Sequence, residues 1–192
     1  EDYEYPTMAE ALRLAKNDPF ISNNSQRRLV FFIGDPAMKL AFSKPNIRLT
    51  KINDVPIGQS TDTLKALSYI KMAGEVTDIS GNILNDYSGV LSATIYDKSI
   101  DRQTLANDNT RLNGQLVKLD FTTLGEIIFR GQASVTNGQF EFDFVVPKDI
   151  GIPVGFGKVS FYAKNEQLLQ DQAGASVNTV RIGGINENAA ED

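Results

Sequence analysis

The side chains that usually carry nucleophilic, general-base and thiolate-zinc chemistry are absent from this sequence. Its 192 residues contain no His and no Cys. A thiol nucleophile, an imidazole base, a disulfide and a cysteine zinc site are therefore excluded within the chain. The serines have no histidine partner, and no Ser-x-x-Lys spacing falls on a predicted helix. We predict no catalytic residue, no cofactor and no metal ion for this chain.

Two carboxylates have a spacing that could support acid–base chemistry. Glu141 and Asp143 share one face of a predicted strand, about 7 Å apart. Carboxylate pairs at such distances cleave glycosidic bonds in glycosidases. These two residues, however, alternate with Phe140, Phe142 and Phe144. That alternation is typical of the wet face of a half-buried strand, so we favour the structural interpretation.

A cluster of oxygen-bearing side chains could bind a hard cation. Asp97, Asp101, Asp108 and Asn109 supply the kind of oxygen ligands that Ca²⁺ prefers. Their spacing departs from that of the EF-hand loop, which needs ligands at alternate positions and a closing Glu. The composition of residues 97–114 instead favours a solvated segment, either an extended loop or an irregular hairpin.

A glycine-rich stretch could form a phosphate-binding loop. Gly151, Gly155 and Gly157 lie close together around Pro153, but the G-x-G-x-x-G order is absent and no helix follows. We favour a turn that begins near Pro147 and connects two strands.

The overall charge is unfavourable for binding to polyanions. The net charge is −5 and the pI is about 4.8, so the chain has no general attraction to nucleic acid or anionic lipid. The longest apolar run, Leu29–Ile33, is far shorter than the roughly 20 residues that span a bilayer. We predict no nucleic-acid partner and no membrane insertion.

The first residues predict one helix, over about residues 7–17. Thr7 and Glu10 have the spacing of a capping box, in which each side chain bonds to the backbone N–H of the other residue. Apolar residues then recur at helical spacing. The helix ends before Pro19, because the residue before a proline disfavours the α conformation.

The next predicted element is a strand at about residues 28–33. Leu29–Ile33 is apolar on both faces, which is typical of a strand buried inside an α/β sheet. The turn-forming run Gly34, Asp35, Pro36 and Ala37 follows it.

From residue 45 onward, the pattern changes to short segments of period 2. Val159, Phe161 and Ala163 alternate with polar residues, as do the three phenylalanines near residue 142. Asn137-Gly138 lies between two such segments and predicts a tight type I′ hairpin. Many short strands with one wet face predict a mostly β fold, an antiparallel β-sandwich over residues 45–185. Residues 186–192 are expected to be a linker or cut end.

Several segments resemble a known family. Residues 10–17, followed by 28–40 with the motif Gly34-Asp35-Pro36-Ala37, resemble the end of a gingipain-type cysteine peptidase domain. Five later segments resemble one branch of that family, the cell-surface sortase of the type IX secretion system of Bacteroidetes. These segments are residues 71–78, 123–131, 140–155, 158–164 and 182–188.

The resemblance implies an organisation and a role. Residues 1–44 would be the C-terminal remnant of the peptidase domain, whose catalytic His and Cys lie upstream. The sandwich over residues 45–185 would follow it and would be immunoglobulin-like. The fragment would be non-catalytic, while the parent would be a cysteine endopeptidase that removes C-terminal sorting signals from exported cargo. Expected partners are the rest of the peptidase, other secretion-system components and cargo. Separated from its sheet, the apolar strand 28–33 would either fold back on the sandwich near Pro45 or pair with a second copy. The expected location is the extracellular face of the outer membrane.

A second hypothesis is a stand-alone extracellular module, adhesin-like or carbohydrate-binding. Residues 74–82 resemble the opening of carboxypeptidase-regulatory-like sandwich domains. A sugar-binding face usually carries exposed aromatic residues, especially Trp. The chain contains no Trp, which disfavours this hypothesis.

Overall fold

The computed structural model describes residues 5–21, 23–40, 46–61, 63–165 and 170–189. The chain divides into two compact units, Glu1–Phe42 and Ser43–Asp192. In the described residues, the first unit contains the α-helix and the second contains the strands. The described helices are too short and too polar to cross a bilayer.

The predicted helix is confirmed as α1, Met8–Lys16, with caps at Thr7 and Asn17. The Thr7 hydroxyl accepts a hydrogen bond from the Glu10 backbone N–H at 3.3 Å. The Glu10 carboxylate pairs with Arg13 at 2.6 Å, so the return half of the capping box is not formed. Short 3-10 helices follow at Pro19–Ile21 and Ser25–Arg28.

The predicted strand at residues 28–33 is not formed, which corrects the sequence-based expectation. Leu29 caps a 3-10 helix, and residues 30–33 have no regular secondary structure. Phe31 and Ile33 are 71% and 84% exposed. A strand needs a neighbour to accept and donate its backbone hydrogen bonds. The described part of Glu1–Phe42 contains no other strand that could serve as one.

In the described residues of the second unit, nine strands form one sheet with the order β2-β1-β4-β11-β10-β5-β12-β13-β3. Strands β6 and β9 pair with each other, as do β7 and β8. The strand bounds are β1 Asn46–Ile52, β2 Val55–Pro56, β3 Leu64–Ala66, β4 Tyr69–Thr77, β5 Gly89–Tyr96, β6 Ile100–Gln103, β7 Arg111–Leu112, β8 Gln115–Leu116, β9 Asp120–Thr123, β10 Ile127–Thr136, β11 Gln139–Val145, β12 Gly155–Asn165 and β13 Gln170–Ile185.

The large sheet is mixed, which corrects the expectation of a purely antiparallel sheet. Strand β3 pairs with β13 in parallel, with Leu64 opposite Ile182. These strands are far apart in sequence, so no tight hairpin forces them to run in opposite directions. The sheet also curls: a Cβ placed on Gly174 of β13 would collide with the backbone oxygen of Ile47 on β1. The fold is therefore mostly β, built on a large curled mixed sheet.

The predicted alternation of buried and exposed residues is confirmed. Phe140, Phe142 and Phe144 on β11 are 4%, 7% and 7% exposed, while the residues between them are exposed. Across the core, Phe129 stacks on Phe144 with ring centroids 4.4 Å apart, and Phe161 lies 5.3 Å from Phe140. The aromatic rings therefore join β10, β11 and β12 into one core.

The hairpin predicted at Asn137-Gly138 is also confirmed. It joins β10 to β11, and the two residues have φ values of 51° and 73°. Both values are positive, as a type I′ turn requires. A Cβ on Gly138 would collide with the backbone oxygen of Leu84, so the turn also needs glycine for close packing.

The polar segment after β5 folds as an irregular hairpin. It leaves the sheet after Tyr96 and returns at Ile127, which lies opposite Tyr96. Strands β6 and β9 form its stem, and β7 and β8 form a shorter ladder beyond it. The segment is therefore an insertion between two neighbouring strands of the sheet.

We expect Phe142→Ala to lower the free energy of unfolding by about 3–5 kcal/mol, because it leaves a cavity in the core. The stack on Phe129, with centroids 5.5 Å apart, would also be lost. Glu141→Ala, on the exposed face of the same strand, should change stability by no more than about 0.5 kcal/mol. Urea denaturation measures both variants. A larger loss for Glu141→Ala than for Phe142→Ala would contradict the register of β11.

Candidate functional site

The carboxylate pair on β11 is used in surface contacts. Lys71 Nζ lies 3.1 Å from Glu141 Oε2 and 3.2 Å from Asp54 Oδ1. Hydrogen bonds to Glu141 and Asp54 raise the pKa of Lys71. A hydrogen bond between Tyr69 and Asp143 raises the pKa of Tyr69.

These contacts disfavour acid–base chemistry at β11. A general acid needs surroundings that keep its carboxyl group protonated. Glu141 and Asp143 are instead exposed to solvent and bound to Lys71 and Tyr69. The structural interpretation of Glu141 and Asp143 therefore fits their geometry.

The most connected charged pair is Asp97 with Lys98, directly after β5. Asp97 Oδ1 accepts from the Lys98 backbone N–H at 2.8 Å and from Lys98 Nζ at 2.6 Å. Asp97 Oδ2 accepts from the Gly151 N–H at 3.0 Å. Lys98 Nζ also donates to the carbonyl oxygens of Gly151 at 2.9 Å and Ile182 at 3.3 Å. We call this group the Asp97–Lys98 clasp; it joins the end of β5 to the β11–β12 connection and to β13.

The clasp explains why glycines occupy positions 151 and 155 of the glycine-rich stretch. The Gly151 N–H binds a carboxylate of the chain, and β12 begins at Gly155 where a phosphate loop would continue into a helix. A Cβ on Gly155 would lie 2.7 Å from Lys98 Cδ, so glycine leaves room for the lysine side chain. The turn interpretation fits this geometry.

The proposed calcium ligands do not converge. Asp97 belongs to the clasp, Asp101 accepts from Thr122 Oγ1 at 3.2 Å, and Asp108 accepts from Thr110 Oγ1 at 2.7 Å. In the part of the chain that the structure describes, no group of three or more acidic, His or Cys side chains is placed to hold a metal ion.

The motif Gly34–Ala37 forms a turn beside the start of α1. Asp35 Oδ1 accepts from the Ala37 N–H at 2.9 Å. The Pro36 carbonyl oxygen accepts from the Ala9 N–H at 3.3 Å, which uses a donor that the first turn of a helix leaves free. Gly34 has a φ of 147°, and a Cβ there would lie 2.9 Å from the Phe32 ring. The motif therefore forms a turn that caps the start of α1 in the first unit.

One surface feature was missed by sequence reasoning, which treated the basic residues as scattered. Arg130, Lys158 and Arg181 lie on three strands of one region of the sheet, and Tyr96 and Phe156 lie among them. The pairing of the strands brings these residues together, and this pairing cannot be read from the sequence. The alternation of buried and exposed residues could have shown only that each of them faces outward.

Comparison with known proteins finds a similar solved structure. No family model and no curated protein matches the chain. The chain is similar to PorU. A crystal structure of dimeric latent PorU from Porphyromonas gingivalis matches 98% of this chain at 27% identity, with a TM-score of 0.65. The match covers 18% of the PorU chain, so this chain spans less than a fifth of that protein.

We expect Asp97→Ala to lower the free energy of unfolding by about 2 kcal/mol at neutral pH, because it removes charge-assisted hydrogen bonds and leaves Lys98 unpaired. Burial raises the pKa of Asp97, but hydrogen bonds from Lys98 and Gly151 outweigh it, so the pKa is lowered. This stabilisation is therefore present above the unfolded pKa near 3.9 and lost as the pH falls through the lower folded value.

Denaturation of the wild type and Asp97→Asn across this range tests the pH dependence. The stability difference between them should shrink as the pH falls below the unfolded pKa near 3.9. Asp101→Asn, in the exposed stem of the hairpin, is the matched control. A constant difference between wild type and Asp97→Asn at every pH would contradict the role of the charge.

Proposed function

We propose that this chain is a non-catalytic region of a type IX secretion sortase related to PorU. The observation that carries the proposal is the match between 98% of the chain and PorU at 27% identity. The sortase-like segments, which lie along most of the second unit, support the same assignment. The absence of His and Cys is consistent with catalytic residues that lie in another part of a longer protein.

The first unit would complete a peptidase domain that residues outside this chain supply. Its run at residues 29–33 is apolar on both faces and largely exposed. Such a run gains about 1.5–3 kcal/mol for each large side chain that becomes buried. In the parent protein, residues 28–33 would form the strand that they do not form here, and the Gly34–Ala37 turn would direct the chain back to α1.

The second unit would support the peptidase and dock partners. Strands β10 and β11 pair only at two registered positions, Val135–Phe140 and Thr136–Gln139. Beyond the hairpin, the rings of Phe129 and Phe144 meet face to face. Both features support a two-layer, immunoglobulin-like arrangement within the curled sheet. Its partners would be the rest of the peptidase, other secretion components or exported cargo, at the extracellular face of the outer membrane.

A homodimer through residues 28–33 is part of this proposal. The matched PorU structure is of a dimeric form. An exposed apolar segment with unpaired backbone groups favours pairing with a second copy, because the same segment on both subunits closes the interface.

A chimera of PorU that carries this chain tests the assignment. PorU in which this chain replaces the matched region should still remove sorting signals from exported cargo, because the two regions share a fold. The isolated chain should not cleave peptides with Arg, Lys or a sorting signal at the cleavage position. Specific cleavage that persists after repurification, or a folded and exported chimera without sorting activity, would contradict the proposal. Binding of the isolated chain to a glycan array would instead favour the stand-alone module.

Sedimentation equilibrium tests the dimer. We expect the wild-type chain to self-associate, and Phe31→Asp/Ile33→Asp to be monomeric, because charges within the pairing strand oppose its burial. Leu105→Asp/Leu112→Asp, which changes two exposed residues of the hairpin between β5 and β10, is the matched control. A monomeric wild type, or equal dissociation of both double variants, would contradict pairing through residues 28–33.

A further inference from the structure

Three cations without an ionic partner lie on one side of the sheet. Arg130 is on β10, Lys158 on β12 and Arg181 on β13. In the described chain, none of the three side chains makes a hydrogen bond or an ion pair. By contrast, Arg48 and Lys71 on the other half of the sheet are both paired with carboxylates. What distinguishes the three cations is that strand pairing brings them to one region of the sheet.

The strand register places aromatic and aliphatic residues among these cations. Tyr96 on β5 lies directly opposite both Ile127 and Lys158. Phe156 lies opposite Arg181. Arg130 lies opposite Thr94, two residues before Tyr96. Neighbouring strands are about 4.8 Å apart, and two residues along a strand span about 7 Å, so these positions lie on one side of the same region of the sheet. We call it the basic–aromatic face, which consists of Tyr96, Ile127, Arg130, Phe156, Lys158 and Arg181.

Burial of the alternate residues shows that this face is turned away from the core. Ile95 and Val159, next to Tyr96 and Lys158, are fully buried. On the outward side, Ile127 is 46% exposed and Phe156 is 53% exposed. Tyr96 lies between the strands that carry Ile127 and Phe156. Exposed apolar residues grouped with charged residues mark interaction sites.

The composition of the face fits a protein partner better than a polyanion. Tyr, Phe and Arg are enriched in protein interfaces, where an apolar centre is surrounded by a polar rim. A nucleic acid or lipid surface would require a denser array of cations than three around an apolar centre. The unpaired cations require carboxylates on the partner, since complementary charge steers association and selects partners.

We infer that the basic–aromatic face docks an acidic polypeptide. The partner's carboxylates pair with Arg130, Lys158 and Arg181, and its apolar side chains cover Ile127 and Phe156. This inference does not depend on the relation to PorU, because it rests on the register, exposure and charge of this chain alone.

Fluorescence anisotropy with a labelled random copolymer of glutamate and tyrosine tests the inference on the full 192-residue chain. We expect saturable binding that weakens with added salt, and Arg130→Gln/Lys158→Gln/Arg181→Gln should bind at least about tenfold more weakly. Arg28→Gln/Lys51→Gln/Lys118→Gln makes the same change in net charge elsewhere and should bind like the wild type. Phe156→Ser should remove the preference for this copolymer over polyglutamate.

Circular dichroism and thermal melting check that all variants remain folded, which is expected because Arg130, Arg181 and Phe156 are exposed and Lys158 is on the outer face. Absence of binding by the wild type would overturn the inference. Equal losses in the two triple variants would do the same, because they would indicate general electrostatic attraction. Tighter binding to phosphatidylglycerol vesicles or to polygalacturonate through the same three cations would assign the face to another class of partner.

Discussion

The second unit depends on burying one set of aromatic rings from three consecutive strands, β10, β11 and β12. Phe140, Phe142 and Phe144 can all face inward because side chains alternate along β11. Phe129 and Phe161 meet them from β10 and β12. The curl of the sheet follows from this constraint, since a flat sheet could not bring these strands around one core. The outward positions, including the basic–aromatic face, are fixed by the same alternation.

Features that depend on neighbouring residues could be predicted from the sequence. The caps of α1, the hairpin at Asn137-Gly138 and the buried face of β11 each follow from a few adjacent side chains. The strand at residues 28–33 was predicted by the same logic and is wrong for this chain. Its apolar pattern is typical of a strand that is buried on both faces. Such a strand forms only when neighbouring strands pair with it and other elements pack on its faces, and the pattern of five residues does not show whether they are present.

Features that depend on long-range register could not be predicted. Asp97 and Lys98 are adjacent in sequence, but their partners Gly151 and Ile182 become neighbours only when β5, β12 and β13 are assembled. The basic–aromatic face likewise combines residues from four strands. The parallel pairing of β3 with β13 has no local signal at all, because neither strand contains information about its direction relative to the other.

That parallel pair also constrains the order in which the second unit can assemble. Strand β3 is near the beginning of the unit and β13 is at its end. Most of the unit must therefore be synthesised before Leu64 can pair with Ile182. Closing so long a loop is slow compared with forming a hairpin such as β10–β11. During synthesis, β3 therefore stays unpaired while the hairpins form. The β3 edge is exposed to incorrect pairing until β13 is in place.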